Sequence, residues 1–445
     1  AQELRALWLR YAQGATDGFL RSPAANQQPA VTGAGTRLVF GYERELEPQA
    51  LEQRCASFTD AVPPGWAASH LLFSSGQATL STLLQACLQM RRPSQTDPPN
   101  NGQPLRLLHV GGYFETRELL NLFEARCLTH SSLGADAQKD LPERLPETDV
   151  LLVEVAYCDG ALRLLDLSAL TRAWRNSPRT PALVIFDTTL SATRFPLVQL
   201  LEALGGPAAP VVACLRSALK LDQGGLELAN AGICTVFVPK GADASQAALP
   251  ETLRKIRRLT GASLGLQDMA ALEAPWFLDP LHTARHCNAV FAHNRQLALA
   301  FRPTGSLFAG LSHPALLAEQ TPWTEAPFCT LTLSDPAPEN YLRLQDLLAQ
   351  EAAARQLAFG IGGSFGFRGH RFEAIVPEAP ESPPFLRVAL GARGGPSLPG
   401  ILQLLNELAA CNALADFKPG SKPRSQPGFR PKRGSRHDGG GGKAR

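Results

Sequence analysis

The sequence predicts an α/β protein: a mostly parallel sheet with helices on both faces, followed by a smaller α+β C-terminal domain. Three observations predict it. Short apolar runs with few charges recur between about residues 69 and 265. Most of them are separated by a helix-length segment. From about residue 270 the pattern changes to longer helical stretches mixed with short strands. Continuous apolar strands alternating with helices read as a parallel sheet buried on both faces. Such sheets bind ligands beyond the carboxyl ends of their strands, so the residues after each run are where chemistry is expected.

Residues 1–60 combine helical and loop-like segments around the Gly/Pro/Gln-rich break SPAANQQPAVTGAG at 22–35. The opening AQELRALWLRYAQG is amphipathic with charges throughout, which does not fit a secretory signal. The strand runs are HLLF (70–73), LRLLHV (105–110), DVLLVEV (149–155), ALVIFD (182–187), PVVACL (210–215) and GICTVFV (232–238). LSTLLQACLQM (80–90) and LSALTRAWR (167–175) have helical character. Farther on, helical patterns at 282–301, 341–358 and 398–414 alternate with the short strands TLTL (330–333) and FLRVAL (385–390). The expected division is an N-terminal arm at 1–60, a large domain at 61–265, a small domain at 266–415 and a disordered tail at 416–445.

The formal net charge is +3, but it is unevenly spread. Residues 417–445 hold nine Lys/Arg and one acid, and the remaining 34 basic and 39 acidic residues give a body of net −5. A nucleic-acid partner is therefore not expected of the folded body. No run approaches the roughly 18 apolar residues that span a bilayer. The nine cysteines are scattered without a CxxC pair, which suggests reduced thiols in a cytoplasmic protein.

Four strand ends carry candidate chemistry. Ser74-Ser75-Gly76-Gln77-Ala78-Thr79 opens a helix, where small residues let backbone N–H groups approach a phosphate. The same residues suit an ordinary capped helix start. Gly111-Gly112-Tyr113-Phe114-Glu115-Thr116 offers an aromatic ring to a planar ligand, or is a glycine turn with a packed aromatic. Asp187, followed by Thr188 and Thr189, closes an apolar strand; an acid there is costly to bury unpartnered, though it could also cap the next turn. Lys220 lies among apolar residues before Gly224 and Gly225, where desolvation makes an amine nucleophilic; a surface lysine is the alternative. Two further motifs read weakly. His282-x3-His286 has helical metal-ligand spacing without a third ligand, and GGGGKAR (439–445) lacks the strand and helix of a phosphate loop. Asn100-Asn101-Gly102 is a turn signal. Arg368, His370 and Arg371 lie in the Gly-rich stretch GIGGSFGFRGHRFE, as contacts for an anionic group or as a solvated turn.

In this order the motifs resemble a fold-type I pyridoxal-phosphate enzyme, most closely the cystathionine gamma-synthase / gamma-lyase family of Cys/Met metabolism, over roughly residues 40–415. Ser75-Gly76-Gln77-Ala78 stands for that family's S-G-M-A-A phosphate loop. Tyr113 stands for its ring-stacking Tyr, Asp187-Thr188-Thr189-Leu190 for D-N-T-F, and Ser217-Ala218-Leu219-Lys220 for S-x-T-K. The resemblance implies pyridoxal 5'-phosphate as cofactor, Lys220 as the Schiff-base residue, and Asp187 on the ring nitrogen. It further implies Ser75, Gly76, Gln77, Thr189 and Ser217 around the cofactor. Tyr42-Glu43-Arg44 matches Y-x-R, which reaches a neighbouring subunit's phosphate. Glu154-Val155-Ala156-Tyr157-Cys158-Asp159 matches E-T-P-x-N-P, and Phe385-Leu386-Arg387 matches the segment whose Arg grips the substrate carboxylate. Arg387, Glu154 and Ser364 are thus the implied substrate-binding residues, with Lys220, Tyr113 and Asp187 catalytic. Three departures stand out: Cys158, implied at the cofactor's phenolic oxygen, for Asn; Leu219 for Thr; and Phe114-Glu115 for two glycines.

The resemblance implies gamma- (or beta-) elimination or replacement on an amino acid, in a homodimer or homotetramer with sites shared across a dimer interface. The departures suggest a specialised biosynthetic substrate. An aminotransferase, or a non-catalytic binding protein on a degenerate fold, are the alternatives.

Overall fold

The computed structural model describes residues 2–24, 29–56, 62–90, 104–124, 128–133, 139–206, 209–317, 323, 325–377 and 383–418. The turn at 100–102, the GGGGKAR string and the tail beyond 418 lie outside the described residues. Fourteen strands are described, beginning with a two-residue ladder of β1 (Ala30–Val31) and β2 (Arg37–Leu38).

A seven-stranded sheet follows. Its members are β3 (Trp66–Phe73), β4 (Leu105–Val110), β5 (Leu128–Leu133), β6 (Val150–Glu154), β7 (Leu183–Asp187), β8 (Val211–Ser217) and β9 (Gly232–Pro239). Their order is β3-β9-β8-β7-β6-β4-β5. The run β5-β4-β6-β7-β8 is parallel, and β9 alone is reversed, pairing antiparallel with both β8 and β3. The carboxyl ends of the other six strands therefore share one edge. Each of the six apolar runs is one of these strands. The seventh, β5 (LTHSSL), mixes apolar and polar residues, as an edge strand does.

Successive residues of each central strand point to opposite faces. Leu107, Leu152, Ile185 and Ala213 pack under the helices Gly76–Met90 and Leu249–Thr260. Leu108, Leu151, Val184 and Val212 pack with Leu170 and Trp174 of the helix Leu167–Asn176 and with Leu200 of Leu197–Leu204. The sheet is thus covered twice, as its continuous apolar runs require. Asp166 starts the helix Leu167–Asn176 by accepting the Ala169 N–H at 2.8 Å.

The second sheet has the order β10-β11-β14-β13-β12, from β10 (Phe308–Ser312), β11 (Cys329–Leu333), β12 (Phe359–Ile361), β13 (His370–Ile375) and β14 (Phe385–Ala389). It is antiparallel except for β12 against β13. The helices Pro280–Ala300, Pro338–Ala354 and Ser397–Ala409 bury Leu297, Leu344, Leu348, Leu404 and Leu408 against it. Order does not stop at residue 415. Asp416 accepts the N–H groups of Asn412 and Ala413, and Phe417 is buried with Leu408 and Leu297. The basic composition of the tail hides this last apolar anchor.

The N-terminal helix Gln2–Thr16 folds back on its own chain. Trp8 donates to the Ala271 carbonyl at 2.7 Å, and Arg5 reaches the carbonyl of Glu227. Among the described residues no helix is long and apolar enough to cross a membrane.

Candidate active site

The shared strand edge opens on a cavity of about 530 Å³, with residues from both sheets in its wall. At its base β3 ends and the helix Gly76–Met90 begins. Ser75 Oγ accepts the Ala78 N–H at 3.0 Å, so this serine caps the helix. A carbon added at Gly76 would lie 3.3 Å from Ser217 Cβ, so the loops after β3 and β8 abut. Gly232 at the start of β9 is pressed against the Ser75 carbonyl with no room for a side chain. Gln77 Oε1 is buried in this corner without a partner.

Asp187 ends β7 and Lys220 follows β8, and both line the cavity. The Asp187 carboxylate accepts the Thr189 N–H at 2.8 Å, while Thr189 Oγ1 accepts the Ser217 N–H at 3.0 Å. Burial pushes Asp187 up to about 6, against the opposing pull of the Thr189 hydrogen bonds and the Lys220 charge. Burial also lowers the Lys220 pKa, and Asp187 partly offsets this. The ammonium lies 5.2 Å from the centre of the Phe365 ring.

The lysine loop is held by groups that sequence reasoning passes over. Arg216 pairs with buried Asp222 at 3.0 Å. Gln223 is fully buried, accepts the N–H groups of Leu228 and Ala229, and donates to the Ala229 carbonyl at 2.6 Å.

Tyr113 is presented by a turn wrapped around Glu154. The Glu154 carboxylate accepts from the N–H of Gly112 at 3.0 Å and of Tyr113 at 2.9 Å, and meets His109 Nε2 at 3.1 Å. A carbon on Gly111 would run into it. Both Glu154 oxygens are thereby taken by the protein, so its observed task is to shape the turn. Burial raises the Tyr113 hydroxyl, and Glu115 raises it further. Cys158 lines the cavity beside it, its thiol pushed by burial up to about 12.

The second sheet supplies Arg387 on β14, buried at 9% exposure. The carboxylate directly across from it is Glu373 of β13, and one guanidinium nitrogen, Nη2, is already bonded to Glu373. Nε has no partner. The sequence reading does not include Glu373, because two residues 14 apart become neighbours only through strand register. Ser364 reaches the cavity from a left-handed turn (φ 67°), its hydroxyl buried and unpartnered.

Tyr42 and Arg44 do not line this cavity; Tyr42 is exposed, with Arg44 5.2 Å from its ring. Arg368, His370 and Arg371 are turned elsewhere: Arg368 donates to the Gly224 carbonyl, His370 accepts the Gly391 N–H, and Arg371 pairs with Glu227. His286 Nε2 donates to the Gly366 carbonyl at 2.8 Å, a contact within the protein.

No protein-family model matches the chain, and no curated protein matches its sequence. Solved structures do match. A methionine gamma lyase from Micromonospora echinospora aligns with a TM-score of 0.57 at 18% identity, over 90% of this chain and 98% of that one. Cystathionine gamma-lyase from yeast aligns with a TM-score of 0.57 at 16% identity, over 89% and 95%. A protein of Campylobacter jejuni described as an O-acetylhomoserine (thiol)-lyase, solved with N'-pyridoxyl-lysine-5'-monophosphate, aligns with a TM-score of 0.56 at 14% identity, over 84% and 88%. The chain has the fold these proteins share.

Proposed function

We propose that the chain binds pyridoxal 5'-phosphate in this cavity and uses it for gamma- or beta-elimination or replacement on an amino acid. The observation that carries the reading is a convergence: a buried amine after β8, a carboxylate at the end of β7 and a helix N-terminus meet in one cavity. The residues fit the cofactor. The corner of Ser75, Gly76 and Ser217 is a cradle that an added Cβ at Gly76 would tighten. The fold shared with two gamma-lyases, and the pyridoxyl-lysine of the Campylobacter protein, support the same assignment.

When bound, pyridoxal phosphate supplies a carbonyl that condenses with amines and a ring that takes up electron density from a bond broken at the substrate's α carbon. The helix N-terminus with the hydroxyls of Ser75 and Ser217 would hold its phosphate, since N–H groups and the helix dipole favour an anion. Asp187 would hold its ring nitrogen; a cation there offsets the cost of a buried carboxylate. Lys220 Nζ, its charged form disfavoured by burial, takes and returns the proton at the α carbon. Tyr113 would cover the ring, its backbone N–H held by Glu154. Arg387 receives the substrate carboxylate through its unpartnered Nε. In this reading Tyr42 and Arg44 serve the phosphate site of a second copy, residues 61–265 and 266–415 form the large and small domains, and the protein works in the cytoplasm.

The test is reconstitution. After addition of pyridoxal phosphate and borohydride reduction, a mass increase on the peptide carrying Lys220 is expected. A protein that takes up no cofactor would point to a binding or scaffold role instead. Activated amino acids (O-acylated homoserines and serines, cystathionine, S-adenosylmethionine) then separate the reactions. Oxo acid with ammonia, or a new adduct, supports the proposal; pyridoxamine phosphate without loss of a side-chain group marks an aminotransferase.

A further inference from the structure

Charge is unevenly matched around the cavity. Among the described residues four carboxylates line it, Glu115, Glu154, Asp187 and Glu373, against two side-chain cations, Lys220 and Arg387. Glu154 is satisfied by the turn it shapes, and the charges of Asp187 and Lys220 offset each other. The other two are on the substrate side. Glu115 adds to burial in raising the Tyr113 hydroxyl, and Glu373 holds Arg387. Arg387 is therefore shared before any ligand enters, and a substrate carboxylate on its Nε would be the second carboxylate on one guanidinium. Glu115, Glu373 and that carboxylate against Arg387 alone leave two net negative charges on this side of the pocket, beside Phe365 and Ile375. The adjoining cavity of about 270 Å³, which shares Tyr113, Phe114 and Arg387, adds one charge of each sign, Arg117 and Asp159, and does not redress the balance.

We propose that the amino acid acted on here carries a positively charged group on its side chain, an ammonium or a similar organic cation, recognised by Glu115 with Glu373 nearby. The inference rests on the reading of the cavity as a cofactor-dependent amino-acid site. A cationic side chain removes one of the two uncompensated charges; a carboxylate side chain adds a third. The two cases differ by two unit charges in one pocket, a difference that Coulomb interaction at these separations registers. Glu115 is the principal determinant, because it lines the cavity while Glu373 is already bonded to Arg387.

Protein loaded with pyridoxal phosphate is titrated in a calorimeter with ornithine, norleucine and glutamate. Ornithine and norleucine have the same chain length and differ in a terminal ammonium or methyl group. Ornithine is expected to bind at least about tenfold tighter than norleucine, with glutamate weakest. Glu115→Gln, a half-buried substitution in the first turn of the helix Phe114–Glu124, is expected to bring the affinities for ornithine and norleucine near parity. Norleucine binding as tightly as ornithine to the wild type overturns the proposal, and so does an unchanged ratio in Glu115→Gln. Visible absorbance of the bound cofactor is read first. No uptake overturns the cofactor reading itself, whereas uptake without a preference for the cation overturns this inference alone.

Discussion

Asp187→Asn should stabilise the cofactor-free protein at neutral pH while impairing cofactor binding. Burial raises the Asp187 carboxyl from 3.8 to about 6, a shift of about two units. At about 1.4 kcal/mol per unit, the folded state disfavours the ionised carboxylate by about 3 kcal/mol. The direction follows from proton binding. Below pH 3.8 the carboxyl is protonated in both states. As pH rises, the unfolded chain ionises first, so stability falls until the folded group titrates near 6, and is level above that. The side-chain amide introduced by Asp187→Asn does not titrate, so the variant escapes the fall. Urea unfolding of both proteins at several values between pH 4 and 8 should show the variant's advantage growing through the lower half of the range and levelling above about 6. The histidines depressed by burial to about 4 (His286, His313 and His370) are common to both proteins and cancel in the difference. A stability difference independent of pH would refute the argument. So would an Asp187→Asn variant that takes up pyridoxal phosphate as tightly as the wild type, because the carboxylate would then not be kept for the ring nitrogen.

Other substitutions test other joints of the site. Lys220→Ala should lower turnover at least about a thousandfold and abolish the borohydride-fixed adduct, with the circular dichroism unchanged. Glu154→Ala leaves the N–H groups of Gly112 and Tyr113 without their acceptor, and should cost about 3 kcal/mol in urea unfolding. Gly232→Ala forces a carbon against the Ser75 carbonyl, so cofactor uptake should fall more than stability does. Deletion of 419–445 should leave turnover intact, whereas a truncation that also removes Phe417 should cost about 3 kcal/mol, read as a drop in Tm.

The central sheet is legible in the sequence because both its faces are buried, which makes its strands continuously apolar. β5 escapes notice because an edge strand needs only one apolar face, and LTHSSL has few apolar residues. β12 and β13 escape because they flank a glycine-rich stretch whose composition signals turns. At the site, Lys220 and Asp187 stand out as charges at the ends of apolar strands. What cannot be read is what those residues touch. Glu154 occupies a motif position, yet its partners are backbone N–H groups, which leave no mark on composition. Glu373 becomes relevant only through the register that sets it opposite Arg387. The departure at Glu115 is visible as a change of charge; its place in the cavity wall is not.

The reversed strand β9 has a consequence for how such a protein changes over generations. Because β9 runs back beside β8, Ser217 and Gly232 face each other, and the segment that carries Lys220 is a closed loop rooted at both ends in one sheet. Arg387 and Glu373 belong to the other sheet. Selection for a new substrate can therefore rewrite the second sheet, or the turn at Phe114 and Glu115, while the lysine's anchorage is inherited intact. Change in overall sequence is then compatible with retention of the buried Lys220 amine and its two-ended anchorage.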